Sequence, residues 1–306
     1  MKRLFIVYNP RSSHYEQVKT DIIDRLKGLK GVMVGKFEVE PTNVDDNARR
    51  LAKVLTTGDL VIAAGGDGTA NIAVNGIMLS KAQNVKFGVI GYGNFNDVAR
   101  TFGNLKLDDI LRGHVKRVYP LECKINGKHW RFGMCYFTLG MFAESCAVYD
   151  EPKTRKALQK RGSRGLLFNV STLANWWFRE HKKDFLPNFA LGSSSDEFIP
   201  SDGASDYMAV NGMTVAKMMK GGKWFMQDKY FLSYYGNMTK FGKLLSFMGK
   251  SIFGHIPGIE TDYDCLSFAE PASLMVQAEG EYKRLEGVKK IEITKAKKPL
   301  LVVMEQ

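Results

Sequence analysis

The sequence contains no long hydrophobic run. Its longest uncharged apolar stretches have the length of a β-strand, well short of the roughly 18 to 20 residues that cross a bilayer. The run Leu4–Tyr8 follows Lys2 and Arg3, but it ends at Asn9-Pro10 and is too short for a signal peptide. We therefore expect a protein that does not span a membrane and whose first apolar run is a strand.

Cysteine is also scarce, and the sequence has no CxxC pair. The four cysteines are not accompanied by histidines at the spacing of a zinc site; they are Cys123, Cys135, Cys146 and Cys265. This pattern argues against a zinc-stabilised or disulfide-stapled fold. It favours a reducing, cytoplasmic setting.

Acidic residues are in deficit. The chain has 44 Lys and Arg against 32 Asp and Glu, a formal net charge of +12. Such a surplus predicts attraction to polyanions, which could be nucleic acid, nucleotide or an anionic membrane surface. Net charge alone does not choose among the three.

Strand-like and helix-like segments alternate through residues 1–120. Apolar runs of strand length are separated by apolar residues at helical spacing, such as Val18, Ile22 and Leu26, and Asn43 is placed to cap one helix. The strand-like runs are Leu4–Tyr8, Val32–Val39, Leu60–Ala64 and Val85–Ile90. This alternation predicts a doubly wound α/β domain.

The pattern changes after residue 120. Asn126-Gly127 between β-like runs is a strong hairpin signal, so residues 121–296 are expected to form a mainly β, sandwich-like domain. A basic, helix-compatible insertion is expected near residues 153–183. The apolar run Leu300–Met304 is expected to be a strand that completes the first domain, as residues 297–306.

Gly65-Gly66-Asp67-Gly68-Thr69 directly follows the most apolar strand. Its glycines allow backbone N–H groups to approach phosphate oxygens, and the next helix presents its positive N-terminus to the same anion. The carboxylate of Asp67 would repel phosphate, so it is expected to hold Mg²⁺, a metal-bound water or a nucleotide hydroxyl. The alternative is a tight strand-to-helix turn without a ligand.

Two further polar loops follow strands at the same predicted edge of the sheet, where α/β domains bind ligands. The candidate contacts of the first loop are Asn9, Pro10 and Ser12, although the sequence of this loop alone indicates a plain turn. The second is glycine-containing, and its candidate contacts are Gly93, Asn94, Asn96 and Asp97. Three such loops on one edge predict a phosphate or nucleotide site.

These segments resemble the catalytic domain of the diacylglycerol kinase family, which includes sphingosine and ceramide kinases. Gly65–Thr69 is the GGDGT motif unchanged, Asn9–Ser13 resembles NPxSG with Ser13 for Gly, and Gly93–Arg100 resembles GTxNDFAR with Asn94 for Thr. Glu279-Gly280-Glu281 resembles the late DGE motif. NAD kinases share only the glycine loop.

The resemblance implies an ATP- and Mg²⁺-dependent lipid kinase with ATP in the cleft between the two domains, and the expected reaction converts diacylglycerol to phosphatidic acid. It implies that Glu279, in place of Asp, is the base that takes the proton from the lipid hydroxyl, and that Glu281 lies at the nucleotide. Asp228 falls in the region that supplies a structural Mg²⁺. Open alternatives are an NAD kinase, a nucleotide-binding regulator without catalysis, and Glu279 and Glu281 as exposed acids on a β-turn.

The middle of the chain combines cations with aromatic residues. Trp176-Trp177-Phe178 lies among basic residues, namely Arg155, Lys156, Lys160, Arg161, Arg164, Arg179, His181, Lys182 and Lys183. This suits reversible contact with an anionic membrane, and so a peripheral protein at the inner face of the membrane. The alternative is buried tryptophans beside a solvated charged face. No nucleic-acid-binding motif is recognisable, and the oligomeric state stays open.

Overall fold

The structure of the protein is a computed structural model, which describes residues 2–150, 154, 165–181, 183, 185–192, 198–200 and 203–305. Within these residues the protein has a parallel α/β part and a large antiparallel β part. The predicted fold class is therefore confirmed. No helix in these ranges is both long enough and apolar enough to cross a bilayer.

The α/β part is built on a six-stranded sheet, with the strand order β2-β1-β3-β4-β18-β5. The strands are Lys2–Tyr8 (β1), Val32–Glu38 (β2), Leu60–Gly65 (β3), Lys86–Gly91 (β4), His114–Val118 (β5) and Leu300–Met304 (β18). All neighbours pair in parallel except β5, which runs antiparallel to β18. Every residue of β3 is buried, because helices cover both faces of this central strand.

Helices follow the strands of this sheet. They are Tyr15–Val18 (α1), a π-helical segment Lys19–Asp24, Arg25–Lys27 (α2), Val44–Val54 (α3), Asp67–Leu79 (α4), Asp97–Thr101 (α5) and Leu107–Arg112 (α6). The side chain of Asn43 accepts a hydrogen bond from Asp46 N at 2.8 Å, which confirms the predicted cap of α3. Helix α4 is almost entirely buried, because one side covers the sheet and another packs on the β part.

The β part contains ten strands of one antiparallel sheet among the described residues, along the path β15-β14-β11-β8-β16-β17-β6-β7 with β9 and β10 beside β16. They are Leu121–Ile125 (β6), Lys128–Gly133 (β7), Tyr136–Gly140 (β8), Phe189–Gly192 (β9), Phe198–Pro200 (β10), Asp206–Val210 (β11), Phe231–Gly236 (β14), Ile259–Thr261 (β15), Tyr263–Ala278 (β16) and Glu281–Lys295 (β17). A separate hairpin joins Thr214–Val215 (β12) to Met219–Lys220 (β13).

Asn126 and Gly127 form the predicted tight turn. They connect β6 to β7 with φ angles of 50° and 76°, and Ile125 pairs with Lys128 across them. Left-handed conformations at both turn residues are what a two-residue hairpin requires, and Asn-Gly adopts them at low cost. This part of the sequence prediction is confirmed.

In the part of the chain that the structure describes, three α-helices accompany the β sheet: Met141–Asp150 (α7), Gly165–Glu180 (α8) and Phe241–Phe253 (α9). In α8, Trp177 is buried and its Nε1 donates to Met238 O at 2.8 Å, while Trp176 is half-buried against Phe185. Trp177 therefore belongs to the core, as the alternative of buried tryptophans had it, whereas Trp176 is only partly covered. The basic residues Arg155, Lys156, Lys160, Arg161, Arg164 and Lys182 lie outside the described residues.

The α/β and β parts pack closely against each other. Arg131 of β7 forms an ion pair with Asp45 of α3, with 2.7 Å between Nη2 and Oδ1. The side-chain amide of Asn75 in α4 both donates to Phe132 O at 2.9 Å and accepts from Phe132 N at 2.8 Å. Asn75 thus pairs with β7 as a neighbouring strand would, which fixes α4 against the β sheet.

Candidate nucleotide and phosphoryl-transfer site

Three polar loops lie side by side at the carboxyl edge of the parallel sheet. They follow β1, β3 and β4, which are neighbours in the sheet. The structure therefore brings together the segments Asn9–Ser12, Gly65–Thr69 and Gly91–Asn96, as parallel strands require.

The second and third of these loops touch through their glycines. A Cβ atom added to Gly93 would lie 2.6 Å from the Cα atom of Gly66, so only glycine fits there. Asn96, in the left-handed conformation with φ 57°, accepts from Gly93 N at 2.7 Å and donates to Gly93 O at 2.8 Å. The side chain of Asn96 thereby holds the third loop against the glycine loop.

Helix α4 starts directly from the glycine loop. Gly66 occupies the N-cap position and supplies no side-chain cap to the first-turn amides. A Cβ atom on Gly68 would lie 2.2 Å from Oε1 of Glu281, which reaches over from the start of β17. An uncapped helix N-terminus beside glycines is a recognised anion-binding arrangement.

Asp67 links the glycine loop to α5. Its Oδ1 accepts a hydrogen bond from Val98 N at 3.0 Å. Burial, followed by the negative charges of Asp97 and Glu279, raises the pKa of Asp67 to about 8. A nearby cation would lower the pKa of such a carboxyl group, because a positive charge favours its ionised form.

Glu279 lies in the two-residue turn between β16 and β17. Its left-handed backbone, with φ 52°, is followed by Gly280 with φ 85°, and its side chain is only 1% exposed. Oε2 accepts from Asn71 Nδ2 at 2.8 Å and Oε1 accepts from Cys135 N at 2.5 Å. Burial raises the pKa of Glu279 to about 7, against the opposing effect of these hydrogen bonds. Glu279 is therefore not an exposed acid on a turn.

Asp97 is fully buried at the junction between the two parts. Its Oδ1 accepts from Thr214 Oγ1 at 2.7 Å and from Lys217 N at 2.9 Å, and its Oδ2 accepts from Tyr136 OH at 3.3 Å. Burial raises the pKa of Asp97 despite these donors. Asp97 thus joins α5 to the β12–β13 hairpin, and its predicted contact with the nucleotide stays a prediction.

The remaining predicted residues divide into two groups. Asn9, Pro10, Ser12, Thr69 and the exposed Asn94 lie in the three loops at the sheet edge. Asp228 does not join them: it is exposed before β14, and its charge acts on Lys295. Within the described ranges no three His, Cys, Asp or Glu side chains cluster, and Asp228 as a metal ligand stays a prediction.

Sequence reading missed the polar stripe of α4. Asp67, Asn71 and Asn75 recur every four residues, so they share one face of an otherwise apolar helix. Asn71 and Asn75 are buried, and Asn75 Nδ2 donates to the Asn71 carbonyl oxygen at 2.9 Å. The spacing of three polar residues in this helix was the available signal.

Lys295 was also missed. It is buried, its Nζ donates to Asn211 Oδ1 and to Trp224 O at 2.8 Å, and burial lowers its pKa to about 7. Asn211 in turn donates from Nδ2 to Met134 O and from N to Cys135 O, each at 2.7 Å. Lys295 therefore supports the segment whose amide holds Glu279. Lys295 lies in a strand with several other lysines, so the sequence did not indicate that this one is buried.

These features define a two-domain fold, one part α/β and the other mainly β, in which a carboxylate of the β domain is held behind the glycine loop. Residues 3–119 match the family described as the diacylglycerol kinase catalytic domain. The resemblance seen in the sequence motifs is therefore confirmed for the first domain.

Curated diacylglycerol kinases match this chain over a region of similar length. A diacylglycerol kinase of Staphylococcus aureus is 35% identical over 123 residues, which is 38% of this chain and 38% of that protein. A diacylglycerol kinase of Staphylococcus saprophyticus is 33% identical over 125 residues, covering 38% and 40% of the two chains. The matched region thus spans less than half the length of these relatives.

The fold similarity extends over the whole chain. The crystal structure of a diacylglycerol kinase from Bacillus anthracis superposes with a TM-score of 0.70 at 18% identity, covering 99% of this chain and 97% of that one. At this identity the similarity establishes the fold of both domains and leaves substrate and activity to be argued from the site.

Proposed function

We propose that the protein is an ATP- and Mg²⁺-dependent lipid kinase that transfers the γ-phosphoryl group to a lipid hydroxyl, with diacylglycerol converted to phosphatidic acid. The observation that carries the proposal is the hydrogen bond from Asn71 of α4 to Glu279, because it holds a buried base behind the helix that begins in the glycine loop. The match of residues 3–119 to the diacylglycerol kinase catalytic domain supports it.

The three polar loops at the carboxyl edge of the parallel sheet have features that suit the phosphates of ATP. Gly66 and Gly93 leave no room for a Cβ atom between their loops, and the N-cap of α4 is a glycine, so phosphate oxygens could approach the backbone of these loops closely. Asp67 would supply the protein carboxylate for Mg²⁺, which is commonly held by one or two carboxylates together with substrate phosphates and water. When bound, MgATP supplies the phosphoryl group and the positive charge that offsets its developing negative charge.

The residues of this chain have separate tasks in such a reaction. The α4 N-terminus and the glycine loop would orient the phosphates, and Asn96 holds the third loop beside the glycine loop through Gly93. Asn71 and Cys135 N orient the carboxylate of Glu279. Glu279 would accept the proton of the lipid hydroxyl as its oxygen bonds to the γ-phosphorus, the bond from that phosphorus to the β,γ-bridging oxygen breaks, and ADP leaves. Its pKa of about 7 suits a general base near neutral pH.

The pH dependence of turnover follows from this pKa. A base works only when it is deprotonated, so kcat/KM should increase about tenfold per pH unit below about pH 7 and level off above it. An ordinary glutamate, with a pKa near 4.3, would be fully ionised throughout that range. The measurement is the initial rate at low substrate over about pH 5.5 to 8.5. A flat profile would exclude Glu279 as the base.

The contact between the two loops can be tested by adding a single methyl group. Gly93→Ala places a Cβ atom 2.6 Å from backbone of Gly66, so the loops must separate. Overpacking of this kind costs about 1 to 3 kcal/mol, and we expect the KM for ATP to rise roughly 10- to 100-fold. Gly28→Ala is the control, because its Cβ atom would meet only Arg25 O at 3.6 Å. Equal KM values for the two variants would contradict the proposed ATP site.

The proposed activity itself is tested with labelled ATP, Mg²⁺ and a mixed-micelle panel of lipids that contains diacylglycerol, ceramide and sphingosine. Labelled phosphatidic acid is the expected product. Label in soluble NADP, when NAD is supplied, would instead identify an NAD kinase. Tight ATP binding without any labelled product would identify a nucleotide-binding regulator.

A further inference from the structure

Helix α9 has two apolar sides. Its inner side packs on the core through Phe247, whose ring centroid lies 5.4 Å from that of Phe142 and 4.7 Å from that of Tyr234. A helix that only covers a core presents polar residues outward. The outward side of α9 instead carries Phe241, Leu245 and Phe253, which are 49%, 55% and 86% exposed.

The exposed apolar surface continues onto α8. The ring of Phe178 is 60% exposed and its centroid lies 5.8 Å from that of Phe241. We call these four residues, Phe178, Phe241, Leu245 and Phe253, the docking face. Contiguous exposed aromatic and aliphatic side chains on a protein surface mark an interaction site.

The part of the chain that ends with α9 is rich in lysine. Residues 211–253 contain seven lysines and one acid, Asp228, so they carry half of the net charge of +12. All seven lysines are exposed: Lys217, Lys220, Lys223, Lys229, Lys240, Lys243 and Lys250. Helix α9 itself contains two of them and no Asp or Glu. The surface that contacts this face is therefore expected to be negatively charged.

We propose that α9 docks the protein on an anionic lipid bilayer, with the docking face inserted among the lipid headgroups and the lysines paired with phosphates. An anionic bilayer fits both the apolar side chains and the lysines. Apolar side chains enter the membrane interface, and each nearby lysine adds about 1 kcal/mol to the binding energy. This docking would give the proposed lipid kinase access to its substrate, so the inference rests on the proposed function. It extends the membrane contact that the sequence suggested in residues 153–183, which include Phe178, to α9.

The docking face is physically connected to the candidate site. Ile256, just after α9, donates from N to Lys220 O at 2.8 Å, and Lys220 belongs to the hairpin whose Thr214 and Lys217 are held by Asp97. On the other side Phe247 packs against α7, which directly follows β8. Docking through α9 would thus bring the β domain to the membrane that contains the lipid substrate.

The test is sedimentation with vesicles in the absence of nucleotide. The full chain should bind vesicles of phosphatidylcholine with about one third phosphatidylglycerol more tightly than pure phosphatidylcholine, and added salt should weaken that binding. Leu245→Ser with Phe253→Ser should weaken it at least about tenfold. Lys243→Glu with Lys250→Glu should abolish the preference for the anionic vesicles.

The matched control is Met33→Ser with Val54→Ser, which removes two apolar side chains that are 51% and 44% exposed in the α/β domain. This variant should bind vesicles like the wild type, and unfolding temperatures should show that all variants are folded. Equal vesicle binding by the Leu245/Phe253 variant and the wild type would overturn the proposal. So would a wild type that ignores vesicles but self-associates through this face. The vesicle assay contains no ATP and measures binding alone, so a failure to dock can be distinguished from a failure of the kinase activity.

Discussion

Glu279→Gln should lower kcat by about 10²- to 10⁴-fold while leaving the affinity for ATP nearly unchanged. Glutamine retains the length of the side chain but cannot take up the proton of the attacking hydroxyl. Because Glu279 is held through Asn71 and Cys135 N rather than by the three loops at the sheet edge, we expect its substitution to change ATP binding far less than turnover. The two quantities are measured by single-turnover transfer from labelled ATP and by calorimetric ATP titration.

The control for this change is Glu286→Gln, which alters an exposed glutamate in the same strand, where Oε1 accepts from Ser273 Oγ. Its turnover should match the wild type. An unfolding temperature for Glu279→Gln near that of the wild type would show that the loss is chemical. If the variant kept more than about a tenth of the wild-type rate, Glu279 would not be the general base.

Glu279→Asp addresses the departure from the family motif. The resemblance places Asp at this position, yet in this chain both carboxylate oxygens of the longer side chain reach hydrogen-bond donors, Asn71 and Cys135 N. An aspartate would draw the carboxylate back by about 1 Å or more, a displacement that typically costs about a hundredfold in rate. We therefore expect this variant to be slower than the wild type. A gain in rate would show that the site is built for the shorter residue.

Asp67→Asn should reduce turnover at least about a hundredfold, the second-largest effect that we expect. Asparagine retains the size of the side chain and an oxygen that can accept from Val98 N, so the loop geometry is preserved. What is lost is the negative charge proposed to hold Mg²⁺, and metal stabilisation of transition-state charge is worth several kcal/mol. The effect is measured as kcat over a titration of Mg²⁺.

Asp108→Asn serves as the matched control, because Asp108 is exposed and pairs with Arg25 at the surface. Surface ion pairs contribute about 0 to 1 kcal/mol, so this variant should behave like the wild type. Turnover by Asp67→Asn within about threefold of the wild type, at every Mg²⁺ concentration, would refute the assigned role of Asp67.

The sequence was informative wherever a feature depends on neighbouring residues. The Asn126-Gly127 turn, the Asn43 cap and the strand-and-helix alternation were readable, because backbone conformation and side-chain period are local properties. The three loops could be placed at one sheet edge because the carboxyl ends of parallel strands share an edge. Local pattern could not tell that Trp177 is buried, since a basic aromatic segment looks the same on a surface and over a core.

By itself, then, the sequence determined an α/β domain with a phosphate-type loop at Gly65–Thr69 and its resemblance to diacylglycerol kinases. The tertiary structure decided the surroundings of the carboxylates. Glu279 meets partners 208 and 144 residues away in the chain, and Asp97 faces a hairpin more than a hundred residues away. The pKa of a carboxyl group depends on burial and on nearby charges, which only the folded chain brings together.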